Sequence, residues 1–514
     1  MRPGSTDTTI RPTRRSFLGA TLAVAGAASL GCLPVMRAAA ATGGIATVHP
    51  DPVQTMQGFG ASGAWWPNDL VRFGADAQQR LAALLFAPAP AGIQLSAYRY
   101  NIGGGGLGVT SRTRAPETFL VSPGVYDWTR DRGGRTFLQL AAAHRVPVLL
   151  GFVNSAPAPW TTNHLNTGGD LVAGAEPEYA RYLADVIRHL RDAEGIALSY
   201  VSPMNEPDYR FEDAHQEGMA VPVERRAALV RALAAELRAR ASHARVVADE
   251  SSQVGGQFLP EAARWLPDTE ASRDLAALAH HLYDVPDVPT LQRARRLGEG
   301  AGLPLWATEV CCLQTATGAV GQGYDPTIAN AIPMAVMIWQ ALTHANDAAF
   351  HWWVAASSAI GADPGADPTA ALRPNPNGWN DGLVYYDPRF ADNGNQEIYL
   401  TKRYHALGNL SRYVRPGARR HDVEGVDEPL HVLAFRSERR WTIVAVNAAP
   451  ADAGPAPLEL ELPVGGADLL APLEAVETSA GRSLEAVAPP QVEGPRMRAG
   501  LPAQSITTLV LAVR

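Results

Sequence analysis

The chain has 514 residues and a formal net charge of -7, with 46% hydrophobic and 18% charged residues. That is enough apolar surface for more than one core. It excludes a disordered chain and a miniprotein stapled by disulfides (only three cysteines are present), and its acidic balance argues against a nucleic-acid binder.

Residues 1–41 read as an export leader. Thr13-Arg14-Arg15-Ser16-Phe17-Leu18 is a twin-arginine signal, followed by an Ala-rich apolar stretch over Leu18–Leu30. Met36-Arg37-Ala38-Ala39-Ala40-Ala41 then supplies small residues for cleavage. Cys32 is a weak lipidation signal, because Ser29 is a poor residue at the third position before it. Losing residues 1–41 removes five arginines and one aspartate, so the mature chain carries -11. The expected destination is extracellular, with no span left in the membrane.

From there the chain alternates short apolar runs with amphipathic segments. Ile45–Thr55 reads as a lone first strand. Eight further strands are expected: Gln57–Ala64, Leu95–Ile102, Val146–Asn154, Ser199–Asn205, Arg245–Glu250, Leu275–Tyr283, Leu303–Glu309 and Ala348–Ala355. Glu178–Arg191, Val223–Ala241 and Asn330–Thr343 show helical spacing between them. Eight such units over roughly 300 residues suit a (β/α)₈ TIM barrel. A long Gly/Pro/Asn-rich loop is expected over Gly361–Asn395, then a last helix over Tyr399–Tyr413. After Arg415-Pro416-Gly417 the pattern changes to alternating runs at His431–Arg436, Trp441–Asn447, Leu458–Leu462 and Ile506–Val513. These read as an attached antiparallel β-sandwich domain. The expected division is 1–41 leader, 42–56 strand joining the sandwich, 57–413 barrel and 414–514 sandwich.

Chemistry in such a barrel sits at the C-terminal ends of its strands. Two carboxylates stand there: Glu206 in Tyr200-Val201-Ser202-Pro203-Met204-Asn205-Glu206-Pro207, and Glu309 in Pro304-Leu305-Trp306-Ala307-Thr308-Glu309. A glutamate closing an apolar strand is costly unless it is paired or faces a wet cleft. Each alone reads equally well as a strand-end ion pair. Together, on strands four and seven, they point to the acid and nucleophile of a retaining glycosidase.

Other motifs are weaker. Gly103–Gly106 lacks the Lys-Ser/Thr of a phosphate loop and reads as close backbone packing or a loop beside the substrate. Gly-Ala-Ser-Gly around Ser62 is not a nucleophile elbow. Cys311 and Cys312 are adjacent, and neighbouring Cα atoms lie about 3.8 Å apart, below the usual disulfide range. Two buried thiols are therefore favoured over a vicinal disulfide. No partner set at ligand spacing accompanies them or His280-His281, so neither a metal nor a cofactor is expected.

The chain resembles glycoside hydrolase family 30. The likeness runs through Gln57-Gly58-Phe59-Gly60-Ala61-Ser62-Gly63, Tyr98-Arg99-Tyr100-Asn101-Ile102-Gly103 and Asn154-Ser155-Ala156-Pro157-Ala158-Pro159-Trp160. It continues through Met204-Asn205-Glu206-Pro207, His281-Leu282-Tyr283-Asp284, Thr308-Glu309 and His351-Trp352-Trp353, and reaches Leu501-Pro502-Ala503-Gln504-Ser505-Ile506-Thr507-Thr508 in the sandwich. The resemblance implies Glu206 as acid/base and Glu309 as nucleophile. It implies Asn205 on the sugar 2-OH, Tyr283 orienting the nucleophile, and Arg99 keeping it ionised. Asn154, Trp160, His281 and Trp353 would line the sugar site. Trp352 is carried with Trp353, although strand alternation makes one of the pair core. Trp65 and Trp66 suit sugar stacking and plain packing equally.

Within that family, Arg99-Tyr100-Asn101-Ile102-Gly103-Gly104 and Ala64-Trp65-Trp66 look most like the β-1,6-galactanase branch, so a β-1,6-galactan such as an arabinogalactan side chain is the expected substrate. β-Glucans, xylans and glucosylceramide-like glucosides are the alternatives, and the mature charge weakly disfavours polyanions. Ala156, Ala158 and Val310-Cys311-Cys312 depart from the family pattern. A monomer acting on an oligo- or polysaccharide is expected. A non-catalytic carbohydrate-binding protein on the same fold is the contrasting possibility, and the retention of both carboxylates with Asn205 speaks against it.

Overall fold

Apolar residues dominate eight short strands, which close into one parallel barrel in the computed structural model, where residues 44–465 and 469–514 are described. They are β1 (Gly58–Gly63), β2 (Ala97–Asn101), β3 (Val148–Phe152), β4 (Tyr200–Ser202), β5 (Arg245–Ser251), β6 (Leu275–His281), β7 (Leu305–Glu309) and β8 (Asp347–Ser357). Each pairs in parallel with its neighbour, and β8 pairs with both β7 and β1, which shuts the ring. Strands buried on both faces need continuous apolar runs, and β1, β3 and β6 have them.

Helices follow the strands. Glu176–Glu194 shows why: acidic residues fill its first turn, Arg191 its last, and Gly195 ends it in the left-handed region. The last barrel helix, Lys402–Ser411, starts later than the sequence suggests. Ile398–Leu400 is taken by a strand that pairs antiparallel with Gly382–Tyr386, and Thr401 then caps the helix. The long loop expected at 361–395 also contains regular elements. It holds the short helices Pro368–Leu372 and Phe390–Asn393, and Gly382–Tyr386 extends the parallel pairing from β8. Proline and glycine density hid that strand, because its five residues are too few for a period to show.

Among the described residues the second sheet has ten strands and is mostly antiparallel, making the attached sandwich. Ala46–Thr55 lies inside it, antiparallel to Arg419–Glu424 and parallel to Ala456–Glu461. Alternation along Leu430–Ser437 decides what each face touches. Val432 and Ala434 enter the sandwich core with Ala46 and Val48, whereas Leu433 and Phe435 join the barrel's apolar cluster. No helix among the described residues is long and apolar enough to cross a membrane. The expected leader, including Cys32, lies outside the described residues.

Candidate active site

Three carboxylates converge at the C-terminal rim of the barrel. Glu206 follows β4, Glu250 is the penultimate residue of β5, and Glu309 ends β7; none is more than 9% exposed. Buried anions are tolerated only with partners, and here two cations supply them. Arg99 of β2, wholly buried, donates from Nη1 to Glu309 Oε2 (2.8 Å) and Ser62 Oγ (2.9 Å). Its Nη2 reaches Asn205 Oδ1 (3.0 Å) and Glu250 Oε2 (3.3 Å), while the Phe152 ring lies 4.0 Å from the guanidinium carbon.

His281, the last residue of β6, is the second cation. Its Nδ1 lies 3.3 Å from Glu206 Oε1 and 3.7 Å from Glu309 Oε1, and its Nε2 lies 3.1 Å from Glu250 Oε2. Tyr283 donates its hydroxyl to Glu309 Oε1 (2.8 Å), and Thr308 donates to Glu250 Oε2.

These neighbours set the charges. Burial alone would raise Glu250, but Arg99, His281 and Thr308 outweigh it and hold the carboxyl at about 2. Burial would lower His281, yet Glu309, Glu206 and Glu250 push it up to about 10, so it is an imidazolium at neutral pH. Burial pushes the Glu309 carboxyl above its ordinary value, while His281 and Arg99 pull it back.

A raised histidine stabilises the fold below its unfolded value, near 6.5, and the effect is lost as pH rises through about 10. A depressed carboxylate does so above its unfolded value, near 4.5, and loses the effect as pH falls through about 2. Thermal melts should therefore show this network's contribution intact between those ordinary values and declining on either side. In a His281→Asn variant the alkaline decline should flatten; an unchanged slope would place the titrating group elsewhere.

A carboxylate oxygen from each of Glu206 and Glu309 and a nitrogen of His281 lie within 4.8 Å of one another. Such donors also suit a cation, but the Arg99 guanidinium already sits on Glu309 and repels a second positive charge. The set reads as two carboxylates sharing fixed cations.

Of the other residues singled out by sequence, Asn205 belongs to this network. Asn154 donates to Asn101 Oδ1 (3.3 Å), with its own buried oxygen unpartnered among the described residues. Trp353 meets Trp65 edge-on with centroids 5.1 Å apart, Arg114 lies 4.8 Å over the Trp65 ring, and all three line one cleft with Asp381. Trp66 is core, packed on Phe137 and bonded to Ser62 O.

Trp352 is a correction. It is wholly buried and donates to Asp381 O (2.7 Å), on the opposite side of β8 from His351 and Trp353, as strand alternation requires. Trp160 also stands apart from the carboxylates. Its indole is bonded to Glu178 (3.1 Å) and packs on Tyr179 and Tyr182, fastening a loop to its helix.

A second correction concerns Cys311 and Cys312, which form a vicinal disulfide. Cys312 adopts φ 64°, in the left-handed region, so the chain turns between the two side chains instead of splaying them as a strand would. The glycine run packs closely: Gly104 and Gly106 donate N–H bonds to buried Glu217 (3.1 and 2.8 Å), and a Cβ on Gly104 would sit 2.8 Å from Ser155 O.

Sequence reasoning missed Glu250, Thr308 and Ser62. Glu250 carried the same signal as the other two glutamates, an acid after the apolar run Val246-Val247-Ala248. Its fifth-strand position simply matched no pairwise expectation. Tyr209 was also missed; it is 53% exposed on the loop that carries Glu206, its ring braced edge-on by Phe211.

The profile of O-Glycosyl hydrolase family 30 matches residues 44–264, which contain β1 to β5 and Glu206. That match supports assigning the chain to glycoside hydrolase family 30. The glucuronoxylanase XynC of Bacillus subtilis (strain 168) is 25% identical over 334 residues, a match spanning 65% of this chain and 65% of that relative. Among solved structures, a conserved exported protein from Bacteroides fragilis superposes with a TM-score of 0.75 at 21% identity, covering 91% of this chain and 100% of that one. The family 30 subfamily 8 xylanase Xyn30A from Clostridium acetobutylicum gives a TM-score of 0.67 at 21% identity, covering 91% and 99%. These two structural matches establish a shared fold.

Proposed function

We propose that this family 30 chain is an exported retaining glycoside hydrolase that cleaves β-linked glycans, with Glu206 as acid/base and Glu309 as nucleophile. One observation carries the reading: the two carboxylates share the same few ångströms around His281 at the catalytic rim. That is the closeness of a double displacement; inverting enzymes hold their carboxyls about 6.5–9.5 Å apart to admit a water.

In the first step the Glu309 carboxylate attacks the anomeric carbon while Glu206 gives its proton to the departing oxygen. Tyr283 and Arg99 bond one Glu309 oxygen each, so the carboxylate is aimed and its rotation is stopped before reaction. In the second step Glu206 takes a proton from water, which displaces Glu309. Asn205, anchored through its oxygen to Arg99, keeps its amide N–H groups for the sugar 2-OH. Trp353 and Trp65 offer apolar faces to the ring.

β-1,6-Galactan is the substrate we propose, on the likeness of the first two strand motifs to that branch. Glucuronoxylan is the second reading. It rests on the XynC relative and on Arg114, a cation at the cleft that a uronate would meet. Reducing-sugar release from a panel of β-1,6-galactan, β-1,6-glucan, xylan and glucuronoxylan separates them. Galactan should be cleaved fastest, because a site built for an axial 4-OH leaves buried groups unpaired on other sugars. Equal or faster xylan cleavage would overturn that ranking, and no release from any glycan would favour the non-catalytic binding protein. NMR of the first product should show the β-anomer; an α-anomer would sink the retaining mechanism.

A further inference from the structure

Glu250 is a wholly buried anion for which the two-glutamate mechanism has no task. Its surroundings suggest one, on the footing that Glu206 and Glu309 are the acid/base and the nucleophile. We propose that Glu250 is a positioning residue that holds His281 through Nε2 as a doubly protonated cation, whose Nδ1–H stands between the two catalytic carboxylates and follows the negative charge from Glu309 to Glu206 and back.

The charges around the pair can be accounted for element by element. Facing His281 are Glu206 after β4, Glu250 on β5, Glu309 on β7 and Tyr283 after β6. Facing Glu250 are Arg99 on β2, His281 on β6, Thr308 on β7 and, through charge at longer range, His351 on β8. Burial and Arg99 hold His351 down at about 3, so it is neutral. The cations of the centre are therefore Arg99 and His281. When Glu206 carries the proton that its role as acid requires, they balance the Glu250 and Glu309 carboxylates.

Glycosylation keeps that balance. Glu309 loses its charge as its oxygen bonds the anomeric carbon, and Glu206 gains one as its proton leaves with the departing hydroxyl. One negative charge has crossed from Glu309 to Glu206, and His281 Nδ1 lies within 4 Å of an oxygen of each. The imidazolium need neither gain nor lose a proton. Water then reverses the transfer: its hydroxyl oxygen bonds the anomeric carbon, its proton goes to Glu206, and Glu309 leaves as carboxylate.

Glu250 makes this work in two ways. Its bond to Nε2 fixes the ring so that Nδ1 faces the pair, and together with Glu309 and Glu206 it keeps both nitrogens protonated. Arg99 shares the same Glu250 oxygen, so both cations are referred to a single anchor on β5.

Imidazole ¹⁵N NMR on the histidine-labelled enzyme tests the proposal, with the His281 signals assigned by their loss in His281→Gln. At about pH 8 the wild type should show both nitrogens protonated, well above the ordinary histidine range. Glu250→Gln should move the His281 titration to lower pH and lower kcat by about a hundredfold. It should also move the alkaline limb of the kcat/KM profile toward lower pH. Glu250→Asp keeps the charge and should restore the imidazolium signal and the wild-type limb. Should Glu250→Gln fail to fold, the wild-type and Glu250→Asp spectra decide the matter. A neutral His281 in the active wild type, or a His281 titration that does not move in Glu250→Gln, would overturn the proposal. A wild type that turns over no glycan is a different result, and it overturns the parent reading instead.

Discussion

Replacing Glu309 by alanine should abolish turnover while leaving the fold in place. Alanine at this position removes the group proposed to form the covalent bond, and loss of a nucleophile costs at least about 10⁴-fold in kcat. The fold should survive because Arg99 keeps Glu250, Ser62 and Asn205 as partners. Circular dichroism and the melting temperature should therefore stay near wild type. Azide provides the sharper readout. In Glu309→Ala it can enter where the carboxylate stood and give an α-glycosyl azide from an activated aryl β-glycoside. In Glu206→Ala the nucleophile still acts first, so azide should yield the β-glycosyl azide. Exchanged products would mean exchanged roles, and near-normal activity of Glu309→Ala would remove the assignment altogether.

How much of this could be seen in the chain depends on the length scale of each signal. Barrel strands showed because burial on both faces demands continuous apolar runs, and each run ends within a few residues of where it was expected. Glu206 and Glu309 showed because an acid closing such a run conflicts with burial unless chemistry or pairing compensates. Gly382–Tyr386 was hidden by its surroundings, since a five-residue strand among prolines and asparagines has no period of its own. Trp352 and Trp353 were a question of phase: alternation established that one faces in, but only register along β8 decided which. The disulfide was missed because mean Cα spacing ignores backbone sign, and the positive φ of Cys312 is a property of one residue that spacing cannot carry. The links of Glu250 to Arg99 and His281 are contacts across 151 and 31 residues, which no local pattern encodes.

Deleting residues 415–514 should cost the protein its solubility, because the sandwich includes a strand from the other end of the chain. Ala46–Thr55 pairs on one side with Arg419–Glu424 and on the other with Ala456–Glu461, so truncation leaves both of its edges open. The barrel would lose a cover as well. Leu433, Phe435, Val444, Val446, Val476 and Ile506 lie in the same buried cluster as the barrel helices. Direct bonds cross the same boundary, from Trp339 to Val432 O (3.3 Å) and from Asn409 to Thr478 (2.6 Å). Each such apolar side chain contributes about 1.5–3 kcal/mol when fully buried. Six of them amount to on the order of 10 kcal/mol, as much as the whole margin of an ordinary domain. Expression of residues 44–414 should thus give aggregated protein with little native signal. Removing residues 44–56 as well should eliminate the open strand but not the uncovered barrel face, and recover little. A soluble, fully active 44–414 fragment would show that the barrel stands alone and that the shared strand is incidental to its stability.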